Sequence, residues 1–316
     1  MDESLKGYKS LKDIIKCYEK KYVCINFLVG DRQLRLLHNC MLELDTMEDT
    51  HDKKISKHLV HRFDIWSLGI TLVIGGQYFK WNAGLSAGFG SYLIAMVLMG
   101  TSYCCLCLCV SEISSALPFA GGAYGLARCT LGFYLGYLIG CFETFEYIIY
   151  IAVSALGLGE LVVAILPSFN HYQPIVWLIF YLSALLIHII GGRIFWSFNR
   201  IMAVASITIL LIYIFGSMSH VHFHEFSLLD NNKLFRGGIF EFVQIFPVTA
   251  WFYVGVEALN FACDDTINPR RDIPAGQISC ILTLNVTAVL VLFMSCSQFP
   301  GIKNLRSDLN PLQPGE

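Results

Sequence analysis

Long apolar runs alternate with short polar ones along this chain, and the alternation begins only at Phe63. The apolar segments cover about 63 to 84, 88 to 113, 131 to 163, 174 to 190, 200 to 217, 239 to 259 and 276 to 296. Each approaches or exceeds the roughly 17 to 25 residues that a helix needs to cross the hydrocarbon of a bilayer. The third is long enough that it must tilt, protrude or bend. Turn signals separate the segments: Pro118 with Gly121-Gly122, Pro167 to Pro174, Gly191-Gly192, His220 to Arg236, and Asn268-Pro269 to Pro274. The pattern predicts an all-α fold, a polytopic membrane helical bundle of about seven transmembrane helices spanning residues 63–316. Residues 1–62 are polar and mixed in charge, with no sustained period, and read as a cytosolic N-terminal tail.

Composition strengthens that reading. The chain is 55% hydrophobic and 15% charged, with a mean hydropathy of +0.57, whereas soluble domains carry about a quarter of charged residues. Twelve of the twenty-two Lys and Arg lie within residues 1–63, and the other ten fall between apolar runs. No basic patch with interleaved aromatics appears, so no nucleic-acid partner is expected; the bilayer itself is the partner. The one apolar run of the tail, Tyr22 to Gly30, is short and leads to no small-residue cleavage site, so the first spanning helix is expected to target the protein. With the N-terminus inside, the cytosolic side receives Lys53, Lys54, Lys57, Arg62, Arg128, Arg193, Arg200, Arg270 and Arg271. The outside then receives Lys80, Lys233, Arg236, Lys303 and Arg306. This excess favours a cytosolic N-terminus, in an integral multi-pass protein assigned to the plasma membrane ahead of internal membranes.

Two clusters invite a metal reading and neither carries it. Cys104, Cys105, Cys107 and Cys109 fall in one apolar helix, where cysteine acts as a small hydrophobe, and the twelve cysteines show no paired loop spacing. His51, His58 and His61 match no zinc spacing, and His220, His222 and His224 read as a solvated loop. Neither metal nor cofactor is expected. Asn285-Val286-Thr287 matches a glycosylation sequon but lies inside the seventh span.

The candidate chemistry sits in mid-membrane. The first span holds Gly69 and then Ile74-Gly75-Gly76-Gln77; the sixth holds Trp251-Phe252-Tyr253-Val254-Gly255-Val256-Glu257. Glycine there weakens a helix and lets peptide groups face a ligand. In transporters built from inverted repeats, paired interruptions of this kind mark the binding site. Close helix packing at small residues is the competing explanation. The two interruptions lie five helices apart, the offset of a five-helix repeat. Three acids also lie within spans: Glu143 and Glu146, three apart and so on one face of the third helix, and Glu257 in the sixth. A charged centre there costs roughly 2.5 to 3.5 kcal/mol on insertion scales, so such acids should face a polar interior, as a partner for a substrate amine or as a proton carrier.

The run Glu112-Ile113 to Pro118, then Gly121-Gly122-Ala123-Tyr124 and Arg128 to Gly132, is similar to the link between the second and third helices of amino acid-polyamine-organocation permeases. Gly255-Val256-Glu257, followed by Asp264-Asp265, Asn268-Pro269-Arg270-Arg271 and Ile273-Pro274, resembles the end of their sixth helix and the following loop. Within that superfamily, Gly76-Gln77-Tyr78-Phe79 with Trp81-Asn82 and Gly84 most resembles the ethanolamine permease branch. The resemblance runs from about Phe63 to the C-terminus. It implies a five-plus-five inverted-repeat fold and a secondary transporter that moves amino acids or small amines such as ethanolamine by alternating access. A coupled proton or an exchanged solute would drive it.

Carried over by position, Ile74, Gly75, Gly76 and Gln77 line one side of the substrate site, and Trp251, Phe252, Tyr253 and Gly255 the other. Glu146 corresponds to a third-helix acid, a counter-charge for an ammonium, with Glu143 and Glu257 as coupling or structural acids. Where the ethanolamine branch has Glu after the glycine, this chain has Gln77, one negative charge fewer. The resemblance implies about twelve helices, so a chain ending after the seventh is expected to be either an incomplete portion of a working permease or a degenerate product that does not transport alone. Other classes fit less well. A seven-helix receptor would need an outside N-terminus and lacks the third-helix acidic-Arg-aromatic triplet, and a non-transporting membrane interaction protein is the remaining alternative. A membrane enzyme using Glu143, Glu146 and His188 lacks a nucleophile, metal cluster or nucleotide loop, so no enzymatic activity is expected.

Overall fold

A computed structural model describes residues 60–116, 121–228, 234–299, 301–305 and 312. The tail with His51 and His58, together with Pro118, Lys233, Arg306 and the closing loop at 310–311 and 313–316, lies outside the described residues. The described chain is helical: α1 (Arg62–Val73), α2 (Gly75–Tyr78), α3 (Phe89–Ala116), α4 (Gly122–Leu131), α5 (Phe133–Ile165), α6 (Gln173–Ile190), α7 (Gly192–Ser217), α8 (Phe223–Phe226), α9 (Ile239–Ile245), α10 (Pro269–Cys296) and α11 (Gly301–Leu305). Tighter 3₁₀ segments cover Trp81–Ala87, Pro167–Tyr172, Met218–His220, Phe246–Phe252 and Val256–Asp265.

Among the described residues six stretches are long and apolar enough to span a membrane: Phe89–Ser115, Phe133–Ile165, Pro167–Ile190, Gly192–His220, Ile239–Asp265 and Pro269–Cys296. The stretch 63–84, read from the sequence as a seventh crossing, is not one continuous helix: its ladder is interrupted at Ile74 and stops at Tyr78. The physical reason lies in the residues themselves, since Gly75-Gly76 supply little helix propensity and Trp251 occupies the space beside Gly76.

Helix α10 forms the centre. Half of its most apolar window is buried, and α1 and α3 are its principal neighbours. Small residues set the approach: Gly69 of α1 faces Cys280, and Gly276 of α10 faces Ile65, so closely that a β-carbon on either glycine would press on its neighbour. Trp66 adds a hydrogen bond from its indole Nε1 to Thr283 Oγ1 at 3.2 Å. An aromatic core of Trp81, Tyr92 and Phe252, each fully buried, fills the space beside them, with Tyr92 donating to the Trp81 carbonyl at 2.7 Å.

The periphery is the opposite. No residue of α6 is buried, and α5 presents Phe133, Tyr134, Phe142 and Ile148 outward. A water-soluble surface does not carry contiguous apolar area on that scale. Hydrocarbon is the medium in which these faces are at low free energy, because every backbone polar group of a continuous helix is satisfied internally. The chain is therefore a multi-pass integral membrane protein.

Two ends can be told apart. Val60 pairs with Thr266, and the Val60 carbonyl accepts from the Ile267 N–H, which brings the entry to α1 and the loop before α10 to one end of the bundle. Arg62, Arg271 and, through its 3.2 Å ion pair with buried Asp64, Arg200 gather there. Lys80, at the far end of the first span, pairs with Glu160 at 3.9 Å.

Candidate functional site

The site is built from peptide groups that two helices fail to satisfy. After Val73 the helix tightens: the Gln77 N–H bonds the Ile74 carbonyl, three residues back. Phe79 is then extended (φ −148°, ψ 158°) and Lys80 left-handed (φ 69°), so the helix cannot continue. In the sixth span, α9 passes at Ile245 into a tighter 3₁₀ turn that carries Pro247, and the helix is interrupted at Tyr253 to Gly255. Gly255 adopts φ 104°, a conformation that side-chain-bearing residues avoid.

The two interruptions meet. The space in front of the Gly255 α-carbon is bounded by Val73 and Leu72 at the end of α1. Gly76 lies directly against the Trp251 carbonyl. The Trp251 indole Nε1 donates to the Phe79 carbonyl at 3.0 Å, and its ring stands edge-on to Phe79 and tilted against Tyr150, 5.4 Å away. Tyr150 in turn donates its hydroxyl to the Leu72 carbonyl at 2.8 Å, and Trp81 Nε1 takes the Gln77 carbonyl at 3.1 Å. At the other break both carboxylate oxygens of Glu257 accept from the Gly255 N–H, at 3.1 and 3.2 Å. Freed backbone groups in hydrocarbon need such partners.

The residues singled out in the sequence divide into three sets. Ile74, Gly75, Gly76, Trp251 and Gly255 come together at the meeting point, with Gly75 half-exposed between the Phe79 ring and the Tyr150 hydroxyl. Gln77, Phe252 and Tyr253 are fully buried and turn elsewhere. Gln77 donates to the Leu284 carbonyl of α10 at 3.1 Å, Phe252 joins the aromatic core, and Tyr253 packs on Tyr103 at 5.5 Å. The acids form the third set. Glu146 is exposed, Glu143 is half-buried, and both lie within electrostatic reach of Glu257. The buried Glu143 Oε1 and Tyr147 hydroxyl have no hydrogen-bond partner among the described residues.

Sequence reasoning passed over Tyr150. Its signal was present: Glu143, Glu146, Tyr147 and Tyr150 follow at offsets of three, four and seven, so one face of α5 carries acids and tyrosines together. Among the described residues no group of three or more His, Cys, Asp or Glu is arranged to hold a metal ion.

Comparison with known proteins gives this architecture its place. The model of the amino acid permease family matches residues 67–309. The chain belongs to that family. Among similar curated proteins, the methylthioribose transporter of Bacillus subtilis is 26% identical over 279 residues, covering 82% of this chain and 59% of its own length. The branched-chain amino acid permease BcaP of the same organism is 23% identical, covering 82% of this chain and 60% of its own length. The cationic amino acid transporter 1 of Arabidopsis thaliana is 22% identical, covering 82% and 45%. The chain thus spans about half to three-fifths of the length of these relatives. Membership in a permease family, with relatives named as transporters, agrees with a non-enzymatic protein.

Proposed function

We propose that the protein takes part in secondary transport of amino acids or small amines such as ethanolamine, by alternating access around the paired interruptions. The observation that carries the reading is their convergence: the end of α1 and Gly255 lie side by side, with Trp251, Phe79 and Tyr150 packed beside the end of the first span. Unwound peptide groups and aromatic faces suit a small polar solute. Ile74, Gly75, Gly76, Trp251 and Gly255 would contact it, while Gln77, Phe252 and Tyr253 would shape the walls from behind.

The charge pattern favours a cationic group on the solute. Gly255 already spends its N–H on Glu257, so an incoming carboxylate meets an occupied donor. Glu143, Glu146 and Glu257 instead offer carboxyl groups to an ammonium, Glu146 as its counter-charge. One of these acids can also carry a coupled proton; exchange against a second solute is the other driving mode. The gathering of Arg62, Arg200 and Arg271 at the Val60 end supports a cytosolic N-terminus; the plasma membrane is the membrane proposed.

The test is uptake. The protein expressed from its gene is reconstituted in vesicles and offered labelled leucine, lysine, glutamate and ethanolamine, with and without a proton gradient. Saturable uptake is expected, strongest for solutes with an amine and no net negative charge. Failure of every solute to show saturation, with the protein correctly inserted, removes the reading.

A further inference from the structure

The break at Gly255 is held from a direction that the solute-facing residues do not explain. Gln277 of α10 is fully buried in the membrane interior, yet both ends of its amide are engaged. Its Nε2 donates to the carbonyl of Val256, the residue after Gly255, at 3.2 Å, and its Oε1 accepts from Ser111 Oγ of α3 at 3.1 Å. One turn further along α3, Ser114 donates to Asn260 Oδ1 at 2.9 Å. Asn260 is likewise buried and lies in the segment Val256–Asp265 that follows the break. Two turns along α10 from Gln277, the Leu284 carbonyl receives the Gln77 amide from the other interrupted helix.

A buried amide in hydrocarbon is costly unless both of its ends are satisfied. A leucine would fill the same volume with no such requirement. The polar choice at position 277 therefore points to a positional role: the amide fixes where the Val256 carbonyl, at the start of the helical segment after the break, lies, and Ser111 fixes the amide. From this geometry we infer that Gln277 is a positioning residue for the solute site, with Ser111 acting through it, and that the segment after the break is locked to α3 and α10. Movement of the sixth span is then confined to Tyr253–Gly255 and the residues before it. This inference rests on the transport reading only for its effect on uptake; the clamp itself is a property of the fold.

The experiment separates the two. In membranes carrying the protein expressed from its gene, a cysteine is introduced at half-buried Val254 (Val254→Cys) or at fully buried Ala203 in α7 (Ala203→Cys). Labelling by a maleimide is measured above the background of the protein's own thiols. Loss of one buried hydrogen bond corresponds to about a tenfold change in a local opening equilibrium. Gln277→Leu is thus expected to label Val254→Cys about tenfold faster, while Ala203→Cys is unchanged. Ser111→Ala should produce a smaller rise that disappears in the Gln277→Leu background. In uptake, Gln277→Leu should raise KM by a similar factor and leave the maximal rate within about twofold.

Unchanged Val254→Cys labelling overturns the inference, as does a parallel rise at Ala203→Cys, which would mark general loosening, or an unchanged KM in a protein that transports. If the unmodified protein takes up none of the solutes, the transport reading fails, and the labelling comparison still decides whether Gln277 holds the break.

Discussion

At the residue scale, two neighbouring glycines illustrate how differently the same residue type can be used. A β-carbon at Gly75 would meet only the Phe79 ring and the Tyr150 hydroxyl, each at 3.7 Å, which is ordinary contact. At Gly76 it would collide with the Trp251 carbonyl, a backbone atom with no freedom to move aside. Gly76→Ala should therefore destabilise by about 1–3 kcal/mol, whereas Gly75→Ala should stay within about 0.5 kcal/mol, both read as thermal unfolding midpoints in detergent. Gly255→Ala is a third case. The added methyl has room, 3.5 Å from Val73, but φ 104° strains any residue with a β-carbon, and a cost of about 1–3 kcal/mol follows from backbone conformation alone. Equal losses at Gly75 and Gly76 would mean that the Trp251 carbonyl does not lie against Gly76.

At the scale of elements, α1 is short and interrupted, so its position depends on what ties down its two ends. Its first turn is anchored by Asp64, which is 2% exposed, accepts the His61 N–H at 3.0 Å and faces Arg200 of α7 at 3.2 Å. Its last turn is anchored by Tyr150, through the Leu72 carbonyl. Between them Thr71 reaches Asn199, again on α7. Arg200→Met would leave a buried carboxylate without its counter-ion. The expected loss is about 2–3 kcal/mol, below that of a fully buried pair because Arg200 is a third exposed. Adding Asp64→Asn should recover part of it. Unfolding in detergent across the four variants gives the coupling, and additive losses would show that the ion pair contributes nothing.

At the scale of the whole molecule, the decisive feature is the contrast between a packed centre around α10 and outer helices that bury almost nothing. Helix α6 has its midpoint near Leu182, which is half exposed. In hydrocarbon that exposure is favourable, and Leu182→Arg should cost about 2.5–3.5 kcal/mol of insertion free energy. An insertion assay with glycosylation tags on either side of α6 reads this as a drop in the spanning fraction. An unchanged fraction would mean that α6 does not face lipid.

Much of the architecture was legible because a bilayer imposes one simple requirement, continuous apolar length, and segments such as 88 to 113 and 174 to 190 display it without reference to any neighbour. The weak points of the first and sixth spans were also written locally, in Gly75-Gly76 and Gly255, because helix propensity is a property of the residue. What the sequence could not state is which distant side chain meets a peptide group at the breaks. The pairings of Tyr150 with Leu72, Trp251 with Phe79 and Gln277 with Val256 join residues 78, 172 and 21 positions apart. For the same reason Gln77, Phe252 and Tyr253, which share motifs with the site, turn into the core. Side-chain direction is decided by the packing of helices against one another, and only the tertiary structure holds that information.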